Sequence, residues 1–315
     1  MTDRHTLPAL YDPFPRRMSP HFSAASEHAA RWVERLCLFP DEGARRRFIA
    51  MDIPRLSAMA YPSCSAAALE IATDWCVWLF AWDDRCDRTP IGRSPGELSR
   101  AHAGYRAILA GARPDTGAPP LSHALADLCD RMLAMSDPSF FERFAARVED
   151  YFRGCVWEAE NRARSVVPEL RSYVTMRPAS GAVDTAFELF ALTDGAGPAG
   201  PARERFAELE RAANNVICWA NDILSVHREL ASGDVHNVVI ILMHEERLSL
   251  GDALARAARM HDAEVRRYQE IERRLALDGA VSHRCSLIRA WIAANQEWSL
   301  STSRYRAARQ DLVTP

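Results

Sequence analysis

The stretch from Ser65 to Asp87 limits the folds open to this chain most strongly. Its apolar run Trp75-Cys76-Val77-Trp78-Leu79-Phe80-Ala81-Trp82 leads straight into Asp83-Asp84-Arg85-Cys86-Asp87. Thr73, Cys76, Phe80, Asp83 and Asp87 step by 3, 4, 3 and 4 residues, which puts them on one face of an α-helix. Glu70 and Asp74 interrupt the apolar length, where charge would be costly in lipid, so the segment reads as a buried bundle helix and not a membrane span. Its carboxylates crowd one helix end, an arrangement that is unfavourable unless something cationic sits there. Phe80, one turn below Asp83, is expected in a cavity wall, with a plain core role as the alternative.

A second oxygen-rich stretch follows later, Asn221-Asp222-Ile223-Leu224-Ser225-Val226-His227-Arg228-Glu229. Asn221, Ser225 and Glu229 are four residues apart, about 400° of helical rotation per step, so they drift slowly around one face. An amide oxygen, a hydroxyl and a carboxylate suit a hard cation such as Mg²⁺, which keeps waters and phosphate oxygens as its other ligands. Alone, this row could equally be a polar helix face. Two such clusters, each ending a mostly apolar helix, point to a metal site at the mouth of an apolar cavity.

Composition narrows the chemistry. With 48% apolar and 26% charged residues in 315, the chain has ample core, and only 14 glycines favour helix. The formal charge of −3 and the lack of a basic block give no reason to expect nucleic acid. There is no lysine, so all 39 cationic side chains are arginine. Lysine Schiff-base chemistry and a P-loop lysine are thereby excluded. Guanidinium forks remain, and these suit phosphate oxygens. The eight cysteines show no CxxC pair or zinc spacing and read as reduced core residues. Residues 1–21 carry no apolar signal segment, so a cytoplasmic location is expected, without stable membrane insertion.

Along the chain, residues 1–24 read as an irregular, proline-rich arm. Helices are expected over 25–39, 41–59, 65–87, 96–111, 120–136 and 139–164. Arg177, Pro178 and Gly181 then interrupt a helical stretch, a break that frees backbone carbonyls. A central helix from 201 to 230 carries Asn214, Cys218, Asn221, Ser225 and Glu229 on its inward stripe. An amphipathic helix at 250–277 and a last helix at 279–304 follow. No repeat or linker appears, so one domain is expected over 25–306, with a short tail at 307–315.

Taken in order, the Asp83-Asp84-Arg85-Cys86-Asp87 motif, the Arg177–Gly181 break, the Asn221–Glu229 triad and the terminal Arg304-Tyr305 pair resemble the motifs of class I terpene synthases, most of all bacterial sesquiterpene synthases. The resemblance implies an all-α, single-domain isoprenoid-synthase bundle around an apolar active-site cavity. It implies Mg²⁺, three ions in all, with Asp83, Asp84 and Asp87 on one side and Asn221, Ser225 and Glu229 on the other. Asp83 is the surest ligand of its group, and Asp84 could instead pair with an arginine. Arg177 would sense the diphosphate, Ser180 link it to the break, and Gly181 act through its carbonyl. Arg177, Arg228, Arg304 and Tyr305 would donate to diphosphate oxygens. Phe80, with Trp298 as a further candidate, would face the carbocation.

The implied reaction is ionisation and cyclisation of an isoprenoid diphosphate, farnesyl diphosphate first, to a terpene hydrocarbon or alcohol. Geranylgeranyl diphosphate, or a non-catalytic isoprenoid-binding protein, is the alternative. Chain-elongating relatives share the aspartate motif but carry a second aspartate-rich motif and use lysine, which disfavours them here. A homodimer stays open.

Overall fold

A computed structural model describes residues 6–194, 201–275 and 282–305. Among these, every regular element is helical. The first helices are α1 (Phe22–Arg35), α2 (Glu42–Ile49), α3 (Ile53–Ala60) and α4 (Ala66–Arg88). A 3₁₀ turn at Pro90–Arg93 leads to α5 (Pro95–Leu109), α6 (Pro120–Met135) and α7 (Pro138–Arg164). Then come α8 (Leu170–Ser180), α9 (Val183–Glu188), α10 (Ala191–Asp194) and the long α11 (Pro201–Ser232). The chain closes with α12 (Val238–Glu245), α13 (Leu250–Leu275) and α14 (Ser282–Ser301).

The two faces of α4 explain why it is central. Trp75, Trp78 and Trp82 are fully buried and stack in series, with ring centroids 5.3 and 6.4 Å apart. Trp78 donates its indole N–H to the Leu121 carbonyl at 2.9 Å, and Trp75 donates to Thr185 Oγ1 at 2.9 Å. Each such ring contributes about 1.5–3 kcal/mol of burial, with the indole N–H satisfied in Trp75 and Trp78 and left without a hydrogen-bond partner in Trp82. The opposite stripe, Cys76, Phe80, Asp83 and Asp87, lines a cavity. Helix α11 supplies the facing wall, packed outward on α13 and α14.

Three sequence expectations need correction. The helix expected over 41–59 is two helices, because Pro54 is tolerated only in a helix's first turn and forces a new start. Asp52 takes a left-handed φ of 55° at the join. The last helix ends at Ser301, not 304, and Thr302 lies outside it. The irregular arm ends at His21, since α1 already begins at Phe22. Its described part is packed in place: Phe14 is buried edge-on against Tyr268, and Tyr11 N–H donates to Asp262 at 2.9 Å. The tail expected at 307–315, and the expected helical residues 276–277 and 279–281, lie outside the described residues.

Candidate active site

Seven helices, α3, α4, α7, α8, α9, α11 and α14, contribute side chains to one cavity of about 170 Å³. Its inner wall is apolar: Leu56, Leu79, Phe80, Tyr151, Val183, Ala186, Ile217 and Trp291. Its mouth carries Asp83 and Asp87 from α4, Arg177 from α8, Asn221, Arg228 and Glu229 from α11, and Arg304 and Tyr305 after α14. The carboxylates of Asp83, Asp84 and Asp87 offer oxygens within 4.8 Å of one another.

Guanidiniums sit on these carboxylates. Arg304 reaches Asp83 at 2.7 Å and also pairs with Asp84, while Arg228 reaches Asp87 at 2.7 Å. Asp84 also lies 3.6 Å from Arg228 and 3.8 Å from Arg88, and it does not line the cavity. On the α11 side, Ser225 Oγ donates to Glu229 Oε1 at 2.7 Å, and Asn237 donates to the other Glu229 oxygen. Asn221 accepts from Arg177 at 3.1 Å and donates to Tyr305 Oη at 2.7 Å. Arg177, Asn221 and Tyr305 thus form one hydrogen-bonded set and Ser225, Glu229 and Asn237 another, joined where Asn237 donates to the Asp222 carbonyl at 2.6 Å.

Burial shapes the ionisation of the cluster. Desolvation, then the neighbouring Asp87 charge, raises the Asp83 carboxyl to about 7, with Arg304 opposing. Half of the Asp83 side-chain surface is exposed, so water tempers the rise. Desolvation and then Asp222 raise Glu229 to about 8, against the hydrogen bonds from Ser225 and Asn237. Groups pushed this way hold protons that a divalent cation would displace.

Several residues at the site carried no sequence-based role. Asp222 is fully buried and accepts from Arg177 at 2.8 Å, from Tyr173 Oη at 2.7 Å and from the Val238 N–H at 3.1 Å. It holds Arg177 against α11, and its place inside the Asn221–Glu229 motif was the available signal. Glu158, Arg162, Asp234 and His236 also line the mouth. Arg162 bridges Glu158 at 3.1 Å and Asp234 at 2.8 Å. Burial disfavours the charge on Asp234, but the His236 hydrogen bonds and Arg162 outweigh it and hold the carboxyl well below its ordinary value.

Of the two aromatics expected at the cavity, Phe80 lines it and Trp298 does not. Trp298 is 1% exposed and stands behind Phe80, ring centroids 5.2 Å apart. Its indole N–H donates to the Met51 carbonyl at 2.7 Å, a group freed by the break between α2 and α3. A ring tethered there cannot turn toward a substrate. Trp291 and Tyr151 occupy wall positions that the sequence reading did not single out. Ser180 and Gly181 line the cavity beside Arg177.

The sequence of residues 74–267 matches the description "Terpene synthase family 2, C-terminal metal binding". The chain belongs to this terpene synthase family. A germacrene A synthase of Nostoc punctiforme is 34% identical over 95% of this chain and 94% of its own length. A (+)-T-muurolol synthase of Roseiflexus castenholzii is 35% identical over 94% of this chain and 93% of its own. Among solved structures, the SVS_A2 protein from ancestral sequence reconstruction superposes with a TM-score of 0.86 at 25% identity, covering 94% of this chain and 90% of that one. Hedycaryol synthase shares the fold at a TM-score of 0.80 and 24% identity, over 94% and 99% of the two chains.

This terpene synthase is an all-α enzyme of the class I fold, and its family's metal-binding segment implies use of a divalent metal. The donor set fits that use: Asp83 and Asp87 line the same cavity as Asn221 and Glu229, with Asp84 clustered beside the first pair and Ser225 bonded to Glu229, all hard oxygens. No described helix is long and apolar enough to cross a membrane.

Proposed function

We propose that this terpene synthase ionises farnesyl diphosphate with Mg²⁺, cyclises the resulting cation and releases diphosphate with a cyclic sesquiterpene hydrocarbon or alcohol. The carrying observation is the join of an ion-rich mouth, with four guanidiniums and hard oxygens from both α4 and α11, to an apolar cavity. The printed name of the Roseiflexus relative states that it cyclises (2E,6E)-farnesyl diphosphate, which supports the substrate. Asp83, Asp87, Asn221, Ser225 and Glu229 would hold Mg²⁺, three ions by the family resemblance, with Asp84 divided between that role and Arg304. When bound, these ions would offset the charge that builds on the leaving diphosphate.

The chain's own groups do the remaining work. Arg228 and Arg304 donate to diphosphate oxygens, exchanging their carboxylate partners for the substrate, Arg177 donates while Asp222 holds it, and the Tyr305 hydroxyl adds a donor. The allylic C–O bond breaks, its electron pair leaves with diphosphate, and the carbon chain becomes a cation. Leu56, Leu79, Val183 and Ile217 exclude water from it. The faces of Phe80, Tyr151 and Trp291 can each stabilise positive charge by about 0.5–2 kcal/mol. Loss of a proton, or capture of water, ends the sequence.

Asp83→Asn and Glu229→Gln test the reading. Each is expected to lower farnesyl diphosphate turnover at least about a hundredfold while helix content by circular dichroism is kept. Wild-type rates in both variants reject the metal assignment.

A further inference from the structure

Arg177 lies in the last turn of α8, just ahead of a break at Gly181–Ala182 whose freed carbonyl is satisfied from outside its own helix. Ala182 takes a left-handed φ of 56°, and its N–H turns to the Ala179 carbonyl at 3.1 Å. The Pro178 carbonyl thereby loses its helical donor. Asn214 on α11, fully buried, donates Nδ2 to that carbonyl at 3.2 Å and to Asp184 Oδ1 at 2.9 Å. One turn further on, the Cys218 thiol donates to Asn214 Oδ1 at 3.1 Å. Its sulfur stands 2.5 Å from where a Cβ on residue 181 would be, so the approach requires Gly181.

Helix α7 presses on the same segment. A Cβ at Gly154 would lie 2.6 Å from Ser180 N and 2.7 Å from Ser180 Cα, both backbone atoms. No side chain can be placed there without moving the break. Asn214 is absent from the cavity wall, and so is Gly154. Neither acts by touching a substrate.

We propose that Gly154 and Asn214 are positioning residues which, together with the Cys218 thiol of the cavity wall, form a two-sided seat that locks the α8–α9 break and so aims the Arg177 guanidinium at the diphosphate site. Asn214 and Cys218 lie on the same inward stripe of α11 as Asn221, Ser225 and Glu229. One helix face thus carries both the metal-ligand candidates and the seat, which sets the sensor in register with the metal cluster. A misplacement of order 1 Å in such a donor can cost about a hundredfold.

The inference rests on the diphosphate-binding reading above, and the test separates the two. Binding of inorganic diphosphate in the presence of Mg²⁺ is measured by calorimetry on the full chain, beside farnesyl diphosphate turnover. Asn214→Ala and Gly154→Ala should each weaken diphosphate binding about tenfold, and Cys218→Ala added to Gly154→Ala should restore part of the loss by opening space on the far side. In an Arg177→Ala background, Asn214→Ala should add no further loss, because the seat acts through that guanidinium. Folded Asn214→Ala protein that binds diphosphate within about twofold of wild type, or equal further losses in the Arg177→Ala background, overturns the seat. Asn214→Ala alone decides if Gly154→Ala does not fold. Wild-type protein that binds diphosphate but leaves farnesyl diphosphate intact overturns the cyclase reading and not the seat. A wild type that binds no diphosphate overturns both.

Discussion

Glu229, near 8, and Asp83, raised toward 7 and tempered by the exposed half of its side chain, stand above the ordinary carboxylate range for the same leading reason, desolvation beside other carboxylates. A carboxyl raised in the folded state binds protons that the unfolded chain has already released. Without metal, stability therefore falls as pH rises from about 4 through these values. Mg²⁺ competes with those protons, so the gain in thermal midpoint caused by Mg²⁺ with diphosphate should grow between about pH 6 and 8.5. Equal gains across that range in a scanning fluorimetry series contradict the assignment. Arg177 belongs to the same scale. Its guanidinium bonds Asn221 and Asp222, and Arg177→Ala is expected to cut product formation about a hundredfold while Mg²⁺ binding in the absence of diphosphate is little changed. Unchanged product formation rejects the sensor role. The residues of this site were legible because their spacing repeats the helical period. Trp298 was misplaced because its partner, the Met51 carbonyl, is remote in sequence, and no spacing rule reveals such a pairing.

At the scale of elements, the end of α14 is built on the gap between α2 and α3. Trp298 Nε1 and Thr302 Oγ1 donate to the Met51 carbonyl at 2.7 and 3.0 Å, and Ser303 Oγ donates to Ala50 at 2.7 Å. This fastening sets where Arg304 and Tyr305 emerge, opposite Asp83 and Asn221 respectively. Trp298→Phe keeps an aromatic ring but removes the indole N–H and leaves a void at a fully buried site, while Thr302 still serves the carbonyl. The expected cost is about 1–3 kcal/mol in chemical denaturation, with a lower thermal midpoint. No change in either measurement contradicts the fastening. The split of 41–59 had a visible cause in Pro54, whereas the fate of the freed carbonyls depends on tertiary packing. Long segments such as α4 and α7 were easier to read, since period and apolar content agree over many turns.

Across the whole molecule, the Asp83, Arg177, Asn221 and Arg304 regions are far apart in sequence yet line one mouth. Motif order foretold that convergence, but not the guanidinium–carboxylate pairing now seen across it. Elsewhere the bundle carries a buried histidine with no role in the site. His102 is fully buried on Phe152, ring centroids 4.1 Å apart, and neither ring nitrogen has a hydrogen-bond partner. Desolvation, then Arg106, lowers it to about 4. The folded state thus resists protonation that the unfolded chain accepts below about pH 6.5, and stability is lost as pH falls toward 4. His102→Phe should flatten that acid limb in denaturant titrations at a series of pH values. An unchanged limb contradicts the account of His102.

This bundle is proposed to break the allylic C–O bond of farnesyl diphosphate at its mouth and to fold the fifteen-carbon cation inside. Parallel incubations with geranyl, farnesyl and geranylgeranyl diphosphate test it most directly, with Mg²⁺ or with EDTA, read by gas chromatography–mass spectrometry. The account predicts a cyclic C15 hydrocarbon or alcohol from farnesyl diphosphate, abolished by EDTA. No cyclic product from farnesyl diphosphate, while Mg²⁺ and diphosphate still stabilise the protein, would contradict it.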